Sequence, residues 1–198
     1  MASDRKLLRQ EVRALRRSLD ENEQENTARI IAETTLQQND FPLGEHIALY
    51  IAADGEVDTK YLIDALLALG KSCYLPVLVD ATTTLEFRQY LPDNELITNF
   101  FGLLEPKQGA KTIEPEKLTT VFVPLVAFDR NGNRLGMGKG YYDRTFAFLQ
   151  DKLPENTPTG PNFIGLAHEC QRVESLEAAD WDVPLGGIIT GQHFYKAG

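Results

Sequence analysis

The sequence predicts an α/β protein: a three-layer sandwich around a mostly parallel, open sheet, preceded by an N-terminal helical arm. Three observations carry this. Short apolar or β-rich runs recur at 46–52, 72–78, 119–128 and 163–167. Stretches with helical periodicity lie between several of them, the alternation from which parallel sheets are built. The first 38 residues carry apolar positions at helical spacing and no strand-like run.

Taken in order, Leu7, Leu8, Val12, Leu15 and Leu19 set the apolar side of a first helix within residues 4–38. Asp20 is an N-cap with Glu23 as its capping-box partner, which opens a second helix through about Leu36. Residues 46–52 (HIALYIA) form a buried strand, and Asp54-Gly55 marks the turn after it. Residues 59–69 present an apolar helical face and stop at Gly70, a C-cap. Residues 72–78 are the next strand, and 85–90 alternate like another. Residues 100–109 (FFGLLEPKQG) read as a loop. Residues 119–128 (TTVFVPLVAF) read as one strand with Pro124 near its end, because proline donates nothing to a ladder. A polar turn at 129–133 leads into a glycine-rich run and then a helix over about 141–149. Residues 152–162 read as a linker, 163–167 as a strand, and 187–190 as the last strand.

At 198 residues the chain suits a single domain over 1–198, and a domain of this size buries roughly 70% of its unfolded surface. With 42% hydrophobic and 25% charged residues, nothing in it looks disordered. Cys73 and Cys170 match no metal spacing, and the pattern suits a reducing compartment, with a disulfide left open. The N-terminus has no apolar core of a signal peptide, and no stretch approaches the roughly 20 apolar residues that cross a bilayer. A cytoplasmic protein without a membrane partner is expected. The formal charge of −9 argues against general nucleic-acid binding and makes any local basic cluster informative.

Four constellations carry chemistry. Residues 134–143 read RLGMGKGYYD, between a predicted strand and a predicted helix. Gly136, Gly138 and Gly140 let backbone N–H groups approach an anion, and Lys139 adds a mobile cation. The run is neither a Walker A loop, since Asn133 and Gly140 stand at its required positions, nor a dinucleotide fingerprint, since Tyr141 replaces the last glycine. A phosphate cradle and a plain glycine-rich turn are both open. Arg5, Arg9 and Arg13 recur every four residues on one helix face, with Arg16 close by. Such a stripe is a solvated face or an anion-binding one. Asp54, Glu56 and Asp58 follow the first strand, where open α/β sheets bind ligands. They hold a ring amine or amide there, or simply decorate a helix N-terminus. Asp143 and Asp182 are isolated carboxylates of the kind that bind magnesium with a nucleotide, though spacing alone does not pair them. His46, His168 and His193 fit no triad or metal pattern and read as structural.

Residues 123–144, VPLVAFDRNGNRLGMGKGYYDR, closely resemble the signature of the 5-formyltetrahydrofolate cyclo-ligases, also called methenyltetrahydrofolate synthetases. Further landmarks in order are the basic N-terminal helix, YIAADGEVDT at 50–59, YLPVL at 74–78, LLEPK at 103–107 and AADWDVPL at 178–185. The resemblance implies an ATP- and Mg²⁺-dependent cyclisation of 5-formyltetrahydrofolate. The formyl oxygen takes the γ-phosphoryl group, the second folate nitrogen attacks the activated carbon, and phosphate leaves to give 5,10-methenyltetrahydrofolate. Phosphoryl transfer needs positioning and charge neutralisation rather than a nucleophilic side chain.

Carried over by resemblance, Arg134, Leu135, Gly136, Met137, Gly138, Lys139, Gly140, Tyr141 and Tyr142 form the ATP loop. Lys139 is its phosphate clamp, and Lys139, Arg134 and Tyr141 stand at the reacting groups. Met137–Tyr141 also line the folate site. Glu56 holds the folate, with Tyr50 and Ile51 as apolar neighbours. Asp143 and Asp182 ligate magnesium, and Arg9 binds phosphate. Where relatives often carry lysine four residues before that arginine, this chain has Arg5. The adjacent Lys6 points about 100° away on an ideal helix, and the choice between Arg5 and Lys6 stays open. A monomer acting on small molecules is expected. The alternatives are another nucleotide- or phosphosugar-using enzyme on the same scaffold, or a non-catalytic binding module.

Overall fold

A computed structural model describes residues 2–79, 83–100, 102–150, 160–177, 179 and 181–197. The sequence-predicted linker therefore lies largely outside the described residues, as do Phe101 of the expected loop and Ala178 and Asp180 of the family landmarks.

The arm is two helices, α1 (Ala2–Arg17) and α2 (Glu21–Gln37). The capping box forms as the sequence suggests. The Asp20 carboxylate accepts from the Glu23 N–H at 2.8 Å, and the Glu23 carboxylate accepts from the Asp20 N–H at 3.1 Å. Strand β1 (His46–Ala48) follows, then α3 (Lys60–Ala68), β2 (Ser72–Leu78) and β3 (Leu85–Tyr90). Gly70 ends α3 at φ 75°, and the Lys71 N–H reaches the Leu66 carbonyl, the two marks of a Schellman stop. Next come β4 (Leu96–Thr98), β5 (Leu104–Pro106), β6 (Thr112–Ile113), β7 (Thr120–Pro124), β8 (Ala127–Phe128) and β9 (Arg134–Leu135). The chain ends through α4 (Tyr141–Thr145), β10 (Asn162–Leu166), β11 (Gly187–Ile189) and β12 (Phe194–Lys196).

Eight strands of the described residues form one sheet in the order β12-β11-β10-β7-β1-β2-β3-β6. The interior pairings from β11 to β2 are parallel, and β12, β3 and β6 add antiparallel edges. Central β7 is buried at four of its five positions, as a strand covered on both faces must be. One face packs Ile31 of α2 and Leu62 and Leu66 of α3 against Ile47, Leu75, Phe122 and Ile164. The other packs Phe146, Tyr141 and Phe148 against Val121, Val123, Phe87 and Phe163. This is the expected three-layer arrangement around a mostly parallel sheet.

Four local expectations are corrected. The strand expected over 119–128 is two. It ends at Pro124, and the Leu125 carbonyl then accepts from Arg16 and Gln171 side chains instead of a neighbouring strand. Residues 127–128 turn away to pair with β9. The expected loop at 100–109 contains β5, which pairs with β4 in a separate ribbon. Strand β11 is not the last, because the chain reverses at Thr190, whose N–H reaches the His193 carbonyl, and returns as β12. Gly187 permits that return, since a Cβ there would sit 2.5 Å from the Phe194 ring. The helix after the glycine run is only Tyr141–Thr145, followed by a 3₁₀ turn at Ala147–Gln150.

Candidate active site

The carboxyl ends of β1 and β7, helix α1 and the glycine run enclose a cavity of about 960 Å³. It lies at the edge where open α/β sheets place their ligands, and its size is at the upper end of ligand pockets. Of the residues singled out from sequence, Arg5, Arg9, Tyr50, Ile51, Glu56, Arg134, Gly136–Tyr142, Asp143 and Asp182 all line it. Leu135 does not. It is fully buried against Val12 and Val126 and serves to fix the loop from behind. Lys6 is exposed and off the lining, whereas Arg5 is on it.

The glycine run is held open by its neighbours rather than by a long helix. Gly138 and Gly140 adopt φ of 87° and 64°, where a side chain would be strained. A Cβ on Gly138 would also press on the Arg9 guanidinium at 3.3 Å. Gly136 needs neither a positive φ nor open space, so its place in the pattern is not conformational. Arg9 donates from Nε to the Gly136 carbonyl at 2.8 Å, pinning the loop to α1. Arg144 donates to the Lys139 carbonyl at 2.7 Å. The Lys139 side chain is exposed, and its ammonium has no hydrogen bond or ion pair among the described residues. A cation fastened at its backbone and free at its tip suits an anionic ligand.

The arginine stripe divides by function. Arg13, Arg16 and Arg17 all converge on the Asp54 carboxylate, with Arg13 at 2.7 Å and Arg16 at 2.8 Å. Arg16 is fully buried and also donates to the Asp54 and Leu125 carbonyls. Asp54 itself sits at φ 55°, a left-handed conformation that an aspartate tolerates better than most residues. The acid cluster divides as well. Asp54 lines the cavity but its carboxylate is taken by the arginines, Asp58 accepts from the Lys60 N–H at the start of α3, and Glu56 is the lining acid that no arginine holds at hydrogen-bond distance. One Glu56 oxygen accepts from the Ala53 N–H at 3.1 Å, and the other lies 3.7 Å from Arg16. Burial raises its pKa above the ordinary carboxylate value, against the opposing pull of Arg16. Such a carboxylate is stabilised by a ligand that brings N–H groups to it.

On the opposite wall, Arg134 donates to Asp143 Oδ1 at 2.6 Å and to the Val183 carbonyl. Asp143 Oδ1 also accepts from the Val183 N–H at 3.3 Å, and Asp182 Oδ2 accepts from the Ala179 N–H at 2.9 Å. Each aspartate keeps one oxygen without a hydrogen bond among the described residues. No group of three or more histidine, cysteine or acidic side chains gathers among those residues. A hard cation would fit here only with ligand oxygens and water completing its shell.

Sequence reasoning missed several lining residues. Arg13 was seen but not its partner, because Asp54 lies 41 residues away. Asn99 flanks the expected loop, and Leu103, Leu104 and Trp181 fell within family landmarks but were given no role at the site. Trp181 is the single tryptophan and 66% exposed at the mouth, a usable signal in retrospect. His46, His168 and His193 lie off the cavity lining, and both cysteines are free, with burial pushing the Cys73 thiol up to about 12.

Comparison with known proteins gives one consistent result. Residues 1–191 match the 5-formyltetrahydrofolate cyclo-ligase family. The chain is 41% identical to a 5-formyltetrahydrofolate cyclo-ligase of Haemophilus influenzae, over 94% of this chain and 97% of the other. It is 37% identical to that of Escherichia coli (strain K12), over 90% and 96%. Its fold is similar to a solved 5,10-methenyltetrahydrofolate synthetase of Aquifex aeolicus, with a TM-score of 0.79 and 28% identity over 97% and 92%. No helix of the described residues is long and apolar enough to cross a membrane.

Proposed function

Because the chain belongs to the 5-formyltetrahydrofolate cyclo-ligase family, we propose that it performs that ring closure in the cavity described above and that the residues gathered there carry it. The chain is a ligase acting on a folate with ATP. It converts 5-formyltetrahydrofolate to 5,10-methenyltetrahydrofolate, releasing ADP and phosphate. The observation that carries the site assignment is the meeting, in one cavity, of a glycine run, a Lys139 without a partner among the described residues and a partly buried Glu56.

The formyl group is amide-like, and its oxygen leaves only after it has been phosphorylated. Arg5, Arg9 and the N–H groups of 136–142 hold the triphosphate, and Lys139 follows the transferring phosphoryl group as its charge is redistributed. The residue-scale roles of Arg134 and Tyr141 are to frame the reacting groups. Arg134 does so while keeping Asp143 in place through its 2.6 Å bond. Glu56 accepts from the folate ring and Ile51 packs beside it, so the second folate nitrogen faces the formyl carbon. That nitrogen attacks, the carbon–oxygen bond breaks, and phosphate departs with the oxygen. Asp143 and Asp182 would hold magnesium through their remaining oxygens, and the ion would supply charge neutralisation on the phosphates. Residues 1–198 act as one unit in this reading, with residues 4–38 lending arginines to the ATP site. The protein is taken as a cytoplasmic monomer without nucleic-acid or membrane partners.

The test is direct. Protein mixed with 5-formyltetrahydrofolate, ATP and magnesium should develop the near-ultraviolet absorbance of the methenyl product. Omitting ATP should abolish it, and a flat trace with all components present would refute the assignment.

A further inference from the structure

Among the described residues, three buried side-chain polar atoms lack a hydrogen-bond partner: the Tyr50 hydroxyl and both ring nitrogens of His168. His168 lies off the cavity lining, whereas Tyr50 is part of it. Native proteins satisfy nearly all such atoms, so each exception asks for a cause. Tyr50 is 3% exposed and follows β1 by two positions. Its carbonyl accepts from the Thr59 hydroxyl and its ring packs in the core with Val57 and Leu62. Backbone and ring are therefore fixed. Glu56, Tyr142 and Arg16 are all close enough to act on the phenol electrostatically, yet none bonds to it. Tyr50 thus lines the cavity while its buried hydroxyl has no hydrogen-bond partner among the described residues.

We infer that the Tyr50 hydroxyl is reserved for the substrate's bicyclic ring and donates to a ring oxygen while Glu56 accepts from the ring N–H groups beside it. This rests on the folate reading above. The assignment of donor and acceptor follows from the chemistry of cyclic amides, in which a ring N–H and a ring carbonyl are neighbours on one edge. A site that takes the N–H with a carboxylate meets the carbonyl next to it. A neutral phenol supplies the donor that Glu56 cannot. Tyr50 is thus a positioning residue with a polar role, beyond the apolar one the sequence suggests.

The experiment is Tyr50→Phe, which removes the oxygen and keeps the ring. Binding of 5-formyltetrahydrofolate without ATP should weaken roughly five- to tenfold, the loss of one hydrogen bond. Binding of ATP should be unchanged. The melting temperature of the free protein should hold or rise, because an unsatisfied buried atom has gone. With a folate analogue carrying an amino group in place of the ring oxygen, wild type and variant should bind alike. Equal affinity of the two proteins for the formyl-folate would overturn the inference alone. So would a lower melting temperature accompanied by weaker binding of both ligands, which marks a packing role. Failure of the wild type to bind the folate at all would instead remove the parent reading, and this one with it.

Discussion

In the proposed site, Lys139 is the residue on which the phosphate chemistry would depend most directly. Its neighbours fix the backbone on both sides, through Arg144 on its carbonyl and the positive φ of Gly138 and Gly140, but nothing fixes its ammonium. Lys139→Ala should therefore lower kcat roughly 10²–10³-fold, the usual loss when one charged transition-state partner is removed. The unfolding midpoint in urea should stay within experimental scatter, because an exposed, unpartnered side chain supports no packing. Single-turnover rates together with denaturation curves check both halves. The run around Lys139 was visible in the sequence as alternate glycines, but these left a phosphate cradle and a plain turn open until the family resemblance was added. The separation of Asp54 from Glu56 was not visible. Two acids, two residues apart in one turn, look interchangeable until the arginines that claim Asp54 are placed in space.

The first helix of the arm, α1, docks through one small apolar cluster and one charged clamp. Val12 buries itself against Val126, Ala127 and Leu135, and the three-arginine clamp on Asp54 supplies the polar half. The clamp is unequal. Exposed Arg17 contributes little, whereas the fully buried Arg16 is costly to leave without its carboxylate. Asp54→Asn keeps a side chain that tolerates the left-handed turn and removes only the charge. We expect it to cost about 3 kcal/mol of stability and to speed amide hydrogen exchange across α1 more than across α3. Exchange measured by mass spectrometry on both helices separates the two. The sequence announced the arm's helices through their apolar spacing and the Asp20–Glu23 box, all of it local. It misplaced the ribbon of β4 and β5 because both strands are three residues long, with Gly102 in the turn between them and Pro106 at the end of β5, and it overlooked β12 because three residues leave little pattern to detect.

For the molecule as a whole, acid tolerance follows from two buried groups of opposite sense. His168 is 2% exposed, and burial pushes its pKa down to about 4. Its unfolded value is near 6.5. Below that pH the unfolded chain takes up a proton that the folded protein refuses, so stability falls from about pH 6.5 to 4 and by no more below. The contribution is on the order of 3 kcal/mol. Glu56 acts the other way, since its raised pKa means the folded state gains a proton first as pH drops, which makes the fall shallower. His168→Leu, which removes both orphan nitrogens, should flatten the stability profile between pH 6.5 and 4. Urea unfolding at stepped pH values is the measurement, and an unchanged slope would count against the assignment. The central sheet has a different consequence, for crowding rather than acid. Its two borders are β6, two residues long, and β12, three residues long and closed by Lys196. Borders so short, one of them charged, offer a passing unfolded chain almost no template on which to extend the sheet. At high concentration the folded protein should therefore resist seeding fibrils, even though five of its strands are core-like apolar runs when the chain is extended.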